Sequence, residues 1–152
     1  MAEIDRIRWN SRYVSSDAPT ARSANRWLLG HAATIDAHYV SVKDMGNTPR
    51  ALDIACGAGG TLFWLAQRSW QVVGVDLSDA ALQLVTERFR TAGIADQGTF
   101  LCNDLDTWRP LPDTFDLVCS FFFLDRNLWP ALRQTVRPGG LFGIVVPGLL
   151  QP

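Results

Sequence analysis

The chain has 152 residues, enough for one domain with a single substantial core, and 47% hydrophobic against 19% charged residues is the balance of an ordinary globular protein. A formal net charge of −1 offers no basic field to nucleic acid, and no apolar run reaches the ~18 residues of a membrane span. Met1-Ala2-Glu3-Ile4-Asp5 has neither the basic nor the apolar region of a secretory signal, and three cysteines without C-x-x-C spacing argue against a disulfide framework or a zinc site. A cytoplasmic domain without metal is therefore expected.

Residues 1–50 are expected to form an N-terminal helical segment and linker ahead of a core at 51–152. Trp9, Arg12 and Tyr13 stand near the start, and the polar stretch 15–25 reads as loop. Apolar residues at helical spacing predict a helix over 26–42, and Gly46-Asn47-Thr48-Pro49 breaks the chain before the first strand. His31 and His38 lie two turns apart on that predicted helix, too far for a metal pair without further ligands.

The core opens on Ala51-Leu52-Asp53-Ile54-Ala55-Cys56-Gly57-Ala58-Gly59-Gly60-Thr61. This reads as a buried strand over 51–56, a glycine turn, and a helix over 61–69. Glycines let the backbone turn sharply and let a ligand come close, and the free amides at a helix start offer that ligand a positive end. The dinucleotide pattern G-x-G-x-x-G is incomplete, because Leu62 holds its third glycine position. Asp53, four residues before Gly57, would repel a pyrophosphate but suits an ammonium or a sulfonium. The chemistry favours S-adenosylmethionine over a nicotinamide dinucleotide.

A second buried strand over 71–76 ends in Asp76, about where α/β nucleotide folds place the acid that takes ribose hydroxyls. Ser78 caps a predicted helix over 79–92, which Gly93 closes. A third strand, 99–103, ends in Asp104. After a loop with Trp108, Pro110 and Pro112 come a fourth strand (115–123), a short helix (128–136), a turn at Arg137-Pro138-Gly139-Gly140, and a fifth strand (141–146). Apolar strands alternating with helices make an α/β fold: a Rossmann-like, doubly wound, mostly parallel sheet of about five strands, order 3-2-1-4-5, with helices on both faces. Ligands on such sheets bind beyond the carboxyl ends of the strands. Aspartate taken singly is often a turn former, but three in register beside a glycine loop would ring one ligand.

With these residues in view, the chain resembles the class I S-adenosylmethionine-dependent methyltransferases, and among them the small bacterial tellurite-resistance type. The carriers are ALDIACGAGGTLFWLA, VVGVDLS, CNDLD, FDLVCSFFFLDRNLWPALRQTVRPGG and LFGIVV. The resemblance implies that Asp53 holds the methionine end, with Ala55, Cys56, Gly57 and Gly59 lining it and the Ser120 carbonyl near the ammonium. Asp76 would take the ribose, Leu77 would pack on adenine, and Asp104 would accept from the adenine amine beside the Leu105 amide. It implies transfer of the sulfonium methyl, in one in-line displacement, to a small-molecule acceptor, leaving S-adenosylhomocysteine. No catalytic residue is assigned, because a soft, deprotonated acceptor needs no general base. Candidates for the acceptor side are Trp9, Arg12, Tyr13, Phe122, Asp125 and Arg126.

Methyltransferases of this class continue past the fifth strand, whereas this chain ends at Pro147-Gly148-Leu149-Leu150-Gln151-Pro152. The fifth strand is therefore expected to be an apolar sheet edge, covered by a partner such as a second copy of the chain. A cofactor-binding module without turnover is the rival functional reading; a nicotinamide-dependent oxidoreductase is a weaker one.

Overall fold

The computed structural model describes residues 2–14 and 23–145. The sheet is built from β1 (Arg50–Ile54), β2 (Gln71–Asp76), β3 (Gly98–Cys102), β4 (Phe115–Phe121) and β5 (Val136–Val145). All four pairings are parallel and the order is β3-β2-β1-β4-β5, the topology expected from the sequence. Around it lie α1 (Ala2–Val14), α2 (Arg26–Gly30), α3 (Ala32–Asp44), α4 (Gly60–Gln67), α5 (Asp79–Thr91) and α6 (Trp129–Thr135).

The central strand β1 shows why both faces must be covered. Ala51 packs with Leu28, Leu62, Leu65, Trp70, Val85 and Phe89 on one face, while Leu52 and Ile54 join Phe115, Val118, Leu128 and Leu132 on the other. The first cluster is capped by helices α2 to α5. The second is capped by α6 and by the β3–β4 connection, which contributes Leu105 and Trp108. A parallel strand buried on two faces reads as a continuous apolar run, so these strands were visible in the sequence.

Four expectations need correction. The helix predicted over 26–42 is two helices, because His31 leaves helical geometry (φ −108, ψ 16) and its ring lies 4.3 Å from that of Trp27. His31 and His38 thus do not share one helix face. The predicted turn at 137–140 lies inside β5: Val136 already pairs with Phe115, and a register shift between Phe115 and Leu117 absorbs the extra residues. Proline is tolerated there because β5 is an edge strand, and Arg137 is held by the buried Asp116 carboxylate at 3.4 Å. The fourth strand stops at Phe121 rather than 123, since Phe122 turns to φ +59. Finally, Cys56 and Cys119 are buried as expected, but Cys102 is exposed.

The predicted loop over 15–25 and Val146 of the fifth strand fall largely or wholly outside the described residues. The fifth strand is a sheet edge among the described residues, and the Trp27 ring lies against Gly143 on one of its faces. Among the described residues no helix is long and apolar enough to cross a membrane.

Candidate active site

At the carboxyl end of β1 the chain must turn from strand to helix within a few residues. Ala55 and Gly57 both take positive φ (54 and 56), and Gly59 caps α4 with φ 83. A Cβ on Gly59 would collide with the Cγ2 and Cβ of Val85, so this position admits only glycine. Gly57 is open on the side facing solvent except for Tyr13, whose hydroxyl lies 2.6 Å from where a Cβ would stand. The turn is thus a cradle bare of side chains, with α1 across its mouth.

Two carboxylates face this cradle. Asp76 binds it directly: one oxygen accepts from the Gly57 amide at 2.8 Å and the other from the Ser78 amide at 2.8 Å. A carboxylate has about four acceptor positions, so it keeps capacity for the hydroxyls of a ligand. Burial raises its pKa, and the backbone amides of Ser78, Gly57 and Leu77 oppose that. Asp53 sits deeper and is 4% exposed, yet no hydrogen bond or ion pair reaches its carboxyl among the described residues. Burial pushes its pKa well above the carboxylate range, and the charge of Asp76 adds to the effect. A buried carboxyl without a donor is costly. A ligand cation would remove that cost.

Around these groups lie two cavities. The larger, about 450 Å³, is lined by Ala55, Asp76, Leu77, Asp104 and Leu105 on the sheet side and by Trp9 and Tyr13 of α1, with Phe121 to Phe123 closing the far wall. Its size is within the ~300–1,000 Å³ of small-molecule sites. The smaller, about 210 Å³, contains Asp53, Cys56, Gly60 and Thr61, with Ala55, Phe121 and Phe122 shared between the two. Gly60 and Thr61 begin α4, so a helix N-terminus borders the same space as the unpartnered Asp53. One compartment can take an apolar ring and a sugar, the other a group carrying both an ammonium and a carboxylate.

Of the residues singled out in the sequence, Asp53, Ala55, Cys56, Asp76, Leu77, Asp104, Leu105, Trp9, Tyr13 and Phe122 line one or both cavities. Gly57 and Gly59 form the cradle between them. Ser120 is buried beneath, its hydroxyl donating to the Phe123 carbonyl at 3.1 Å. Arg12 is exposed, with its guanidinium 5.3 Å from the centre of the Trp9 ring. Asp125 caps its own turn by accepting from the Asn127 amide at 2.9 Å, and Arg126 is exposed; neither reaches a cavity wall. Sequence reasoning missed Asp5 and Arg8 of α1, Phe121 and Phe123, and Ser23, Asn25 and Thr61. The four-residue spacing of Trp9 and Tyr13, one helical turn, was the available signal for α1.

The comparisons with known proteins decide the family. Residues 51–140 match the methyltransferase domain model. The chain belongs to the methyltransferase-domain family. It is 33% identical over 124 residues to a probable thiol methyltransferase 2 of Arabidopsis thaliana, covering 77% of this chain and 54% of that one. It is also 33% identical to thiocyanate methyltransferase 1 of the same plant, covering 75% and 52%. Among solved structures it is similar to an S-adenosylmethionine-dependent methyltransferase of Mesorhizobium loti (TM-score 0.55, 27% identity, 74% of this chain and 52% of that one). The chain spans about half the length of these relatives.

The sheet order and these likenesses make this methyltransferase domain the class I, Rossmann-like kind, whose cofactor is S-adenosylmethionine. The residues present fit that cofactor. The open backbone at Gly57 and Asp53, which has no donor among the described residues, suit a cationic group by their chemistry, and the Asp76 carboxylate keeps acceptor positions that ligand hydroxyls can use.

Proposed function

We propose that the chain transfers a methyl group from S-adenosylmethionine to a small-molecule acceptor with a soft nucleophilic atom, a thiol or a related chalcogen anion. The observation that carries this reading is the buried, donorless Asp53 at the foot of a glycine cradle, opening towards an aromatic wall. In this reading Asp53 receives the ammonium end, Asp76 the ribose hydroxyls, and Leu77, Asp104 and Leu105 the adenine. Bound there, the cofactor supplies an activated methyl on a sulfonium that already leaves readily, so the protein contributes orientation and exclusion of water.

Trp9, Tyr13 and Phe122 wall the remaining space. Tyr13 keeps its proton, because burial and then the charge of Asp76 raise its pKa; it can donate a hydrogen bond to an acceptor but is not a base. No histidine lines either cavity among the described residues. That arrangement suits an acceptor that arrives deprotonated. The names of the thiol and thiocyanate methyltransferases point the same way, as does the resemblance to the tellurite-resistance type. The net charge of −1 favours a small acceptor over nucleic acid. The apolar β5 edge supports pairing with a second copy of the chain.

The test is methyl transfer followed by mass spectrometry, with hydrosulfide, small thiols, thiocyanate, tellurite, selenite and small amines as acceptors. Methylated sulfur, selenium or tellurium products with unmodified amines support the reading. Methylation of amines alone would overturn the acceptor class, and cofactor binding without any product would favour the module without turnover.

A further inference from the structure

α1 carries Trp9 and Tyr13 to the cavity, yet it has no fully buried residue of its own. A 13-residue helix is marginal in water without packing, so what holds it matters. Asn10 does so with one carboxamide. Its Oδ1 accepts from the Ser78 hydroxyl at 2.6 Å and from the Ala80 amide at 3.3 Å, and its Nδ2 donates to the Asp79 carboxylate at 2.6 Å. These three partners are the N-cap and first turn of α5.

The same serine links this clamp to the ligand carboxylate. The fully buried Ser78 accepts from the Ala81 amide at 3.1 Å through its hydroxyl, and its amide donates to Asp76 at 2.8 Å. Asp76 in turn accepts from Gly57. A continuous chain of hydrogen bonds thus runs from Asn10 through Ser78 and Asp76 to the glycine cradle. We propose that Asn10 is a positioning residue of the cofactor site, which seats α1 across the cavity and fixes the Ser78–Asp76 pair that receives the ribose. The acceptor wall and the ribose site are then assembled by one contact, and cofactor binding and α1 docking strengthen each other. This rests on the reading of Asp76 as the ribose carboxylate, which goes untested by Asn10 itself.

The chemistry predicts a specific rescue. In Asn10→Asp one oxygen still accepts from Ser78 and Ala80, but the other confronts the Asp79 carboxylate. Adding Asp79→Asn turns that confrontation back into an amide-to-carboxylate hydrogen bond with the donor reversed. Binding of S-adenosylhomocysteine to the full chain is measured by calorimetry, and hydrogen exchange of the α1 amides is followed with and without it. Asn10→Ala and Asn10→Asp should weaken binding by about tenfold or more and abolish ligand-dependent protection of α1. Asn10→Asp with Asp79→Asn should restore both. Binding in Asn10→Ala within about twofold of the unsubstituted chain, while Asp76→Ala abolishes binding, would overturn the clamp and leave the cofactor reading standing. Weakened binding in both single variants with no recovery in the double variant would also overturn it, since general damage to α1 is not repaired by swapping the pair. If the unsubstituted chain binds no S-adenosylhomocysteine, the cofactor reading falls and the clamp with it.

Discussion

At the residue scale, Asp53 has the sharpest consequence. Its folded pKa is raised well above the ordinary 3.8 by burial and by Asp76. For a carboxyl shifted upwards, the stability contribution is complete below the unfolded pKa and is lost as pH rises through the folded one. The ligand-free protein is therefore destabilised by Asp53 as pH rises from about 4. A bound cation reverses this, because it requires the ionised form. Affinity for S-adenosylmethionine should consequently rise as pH rises above about 4, with proton release on binding. In Asp53→Asn the affinity should be lower and its rise with pH shallower, leaving the smaller contribution of Asp76, whose pKa is also raised by burial. Calorimetry in buffers of different ionisation enthalpy measures both. An identical pH slope in Asp53→Asn would contradict the assignment.

At the scale of elements, the turn from β1 into α4 is the most constrained part of the fold. Gly59→Ala would place a methyl group into Val85 at a φ of 83, combining overpacking with left-handed strain. Together these should cost about 2–5 kcal/mol, read as a fall in the denaturation midpoint, whereas Ala55→Gly relieves a positive φ and should be neutral or stabilising. A Gly59→Ala protein as stable as the parent would show that the turn is not built as described. The contrast between α4 and α1 also explains what the sequence disclosed. Glycine spacing and two-faced apolar strands advertise themselves, so β1 to β4 and the cradle were legible. α1 was less so, because its hold on the domain runs through a polar side chain, Asn10, and of its large apolar residues only Trp9 and Tyr13 turn towards the cavity while Ile4, Ile7 and Val14 are exposed. The 137–140 segment misled for a related reason. Pro138 and two glycines signal a turn locally, and Gly139 does take φ +81, but the register shift between Phe115 and Leu117 accommodates the segment within β5. Phe121 to Phe123 likewise read as strand, while the positive φ of Phe122, held by its amide donating to the Val145 carbonyl at 2.6 Å, comes from tertiary contact.

At the scale of the molecule, the sheet has one edge at β3 and another at β5 among the described residues. Trp27 shields a face of β5 at Gly143, but Phe142 stays 36% exposed. A long apolar edge of this kind is normally paired or covered. Sedimentation of the purified chain should show a dimer, weakened by Phe142→Lys, and a concentration-independent monomer would contradict the proposed pairing.

The central claim is that the glycine cradle, Asp53 and Asp76 form a site for S-adenosylmethionine. Thermal unfolding with S-adenosylmethionine, S-adenosylhomocysteine or NAD added tests it most directly. A ligand at a hundred times its dissociation constant stabilises by ~2.7 kcal/mol, which for a domain of this size raises the midpoint by roughly 5 to 10 °C. The account predicts that rise with the first two ligands, none with NAD, and its loss in Asp76→Ala. A rise with NAD, or no rise with any of the three, would contradict it.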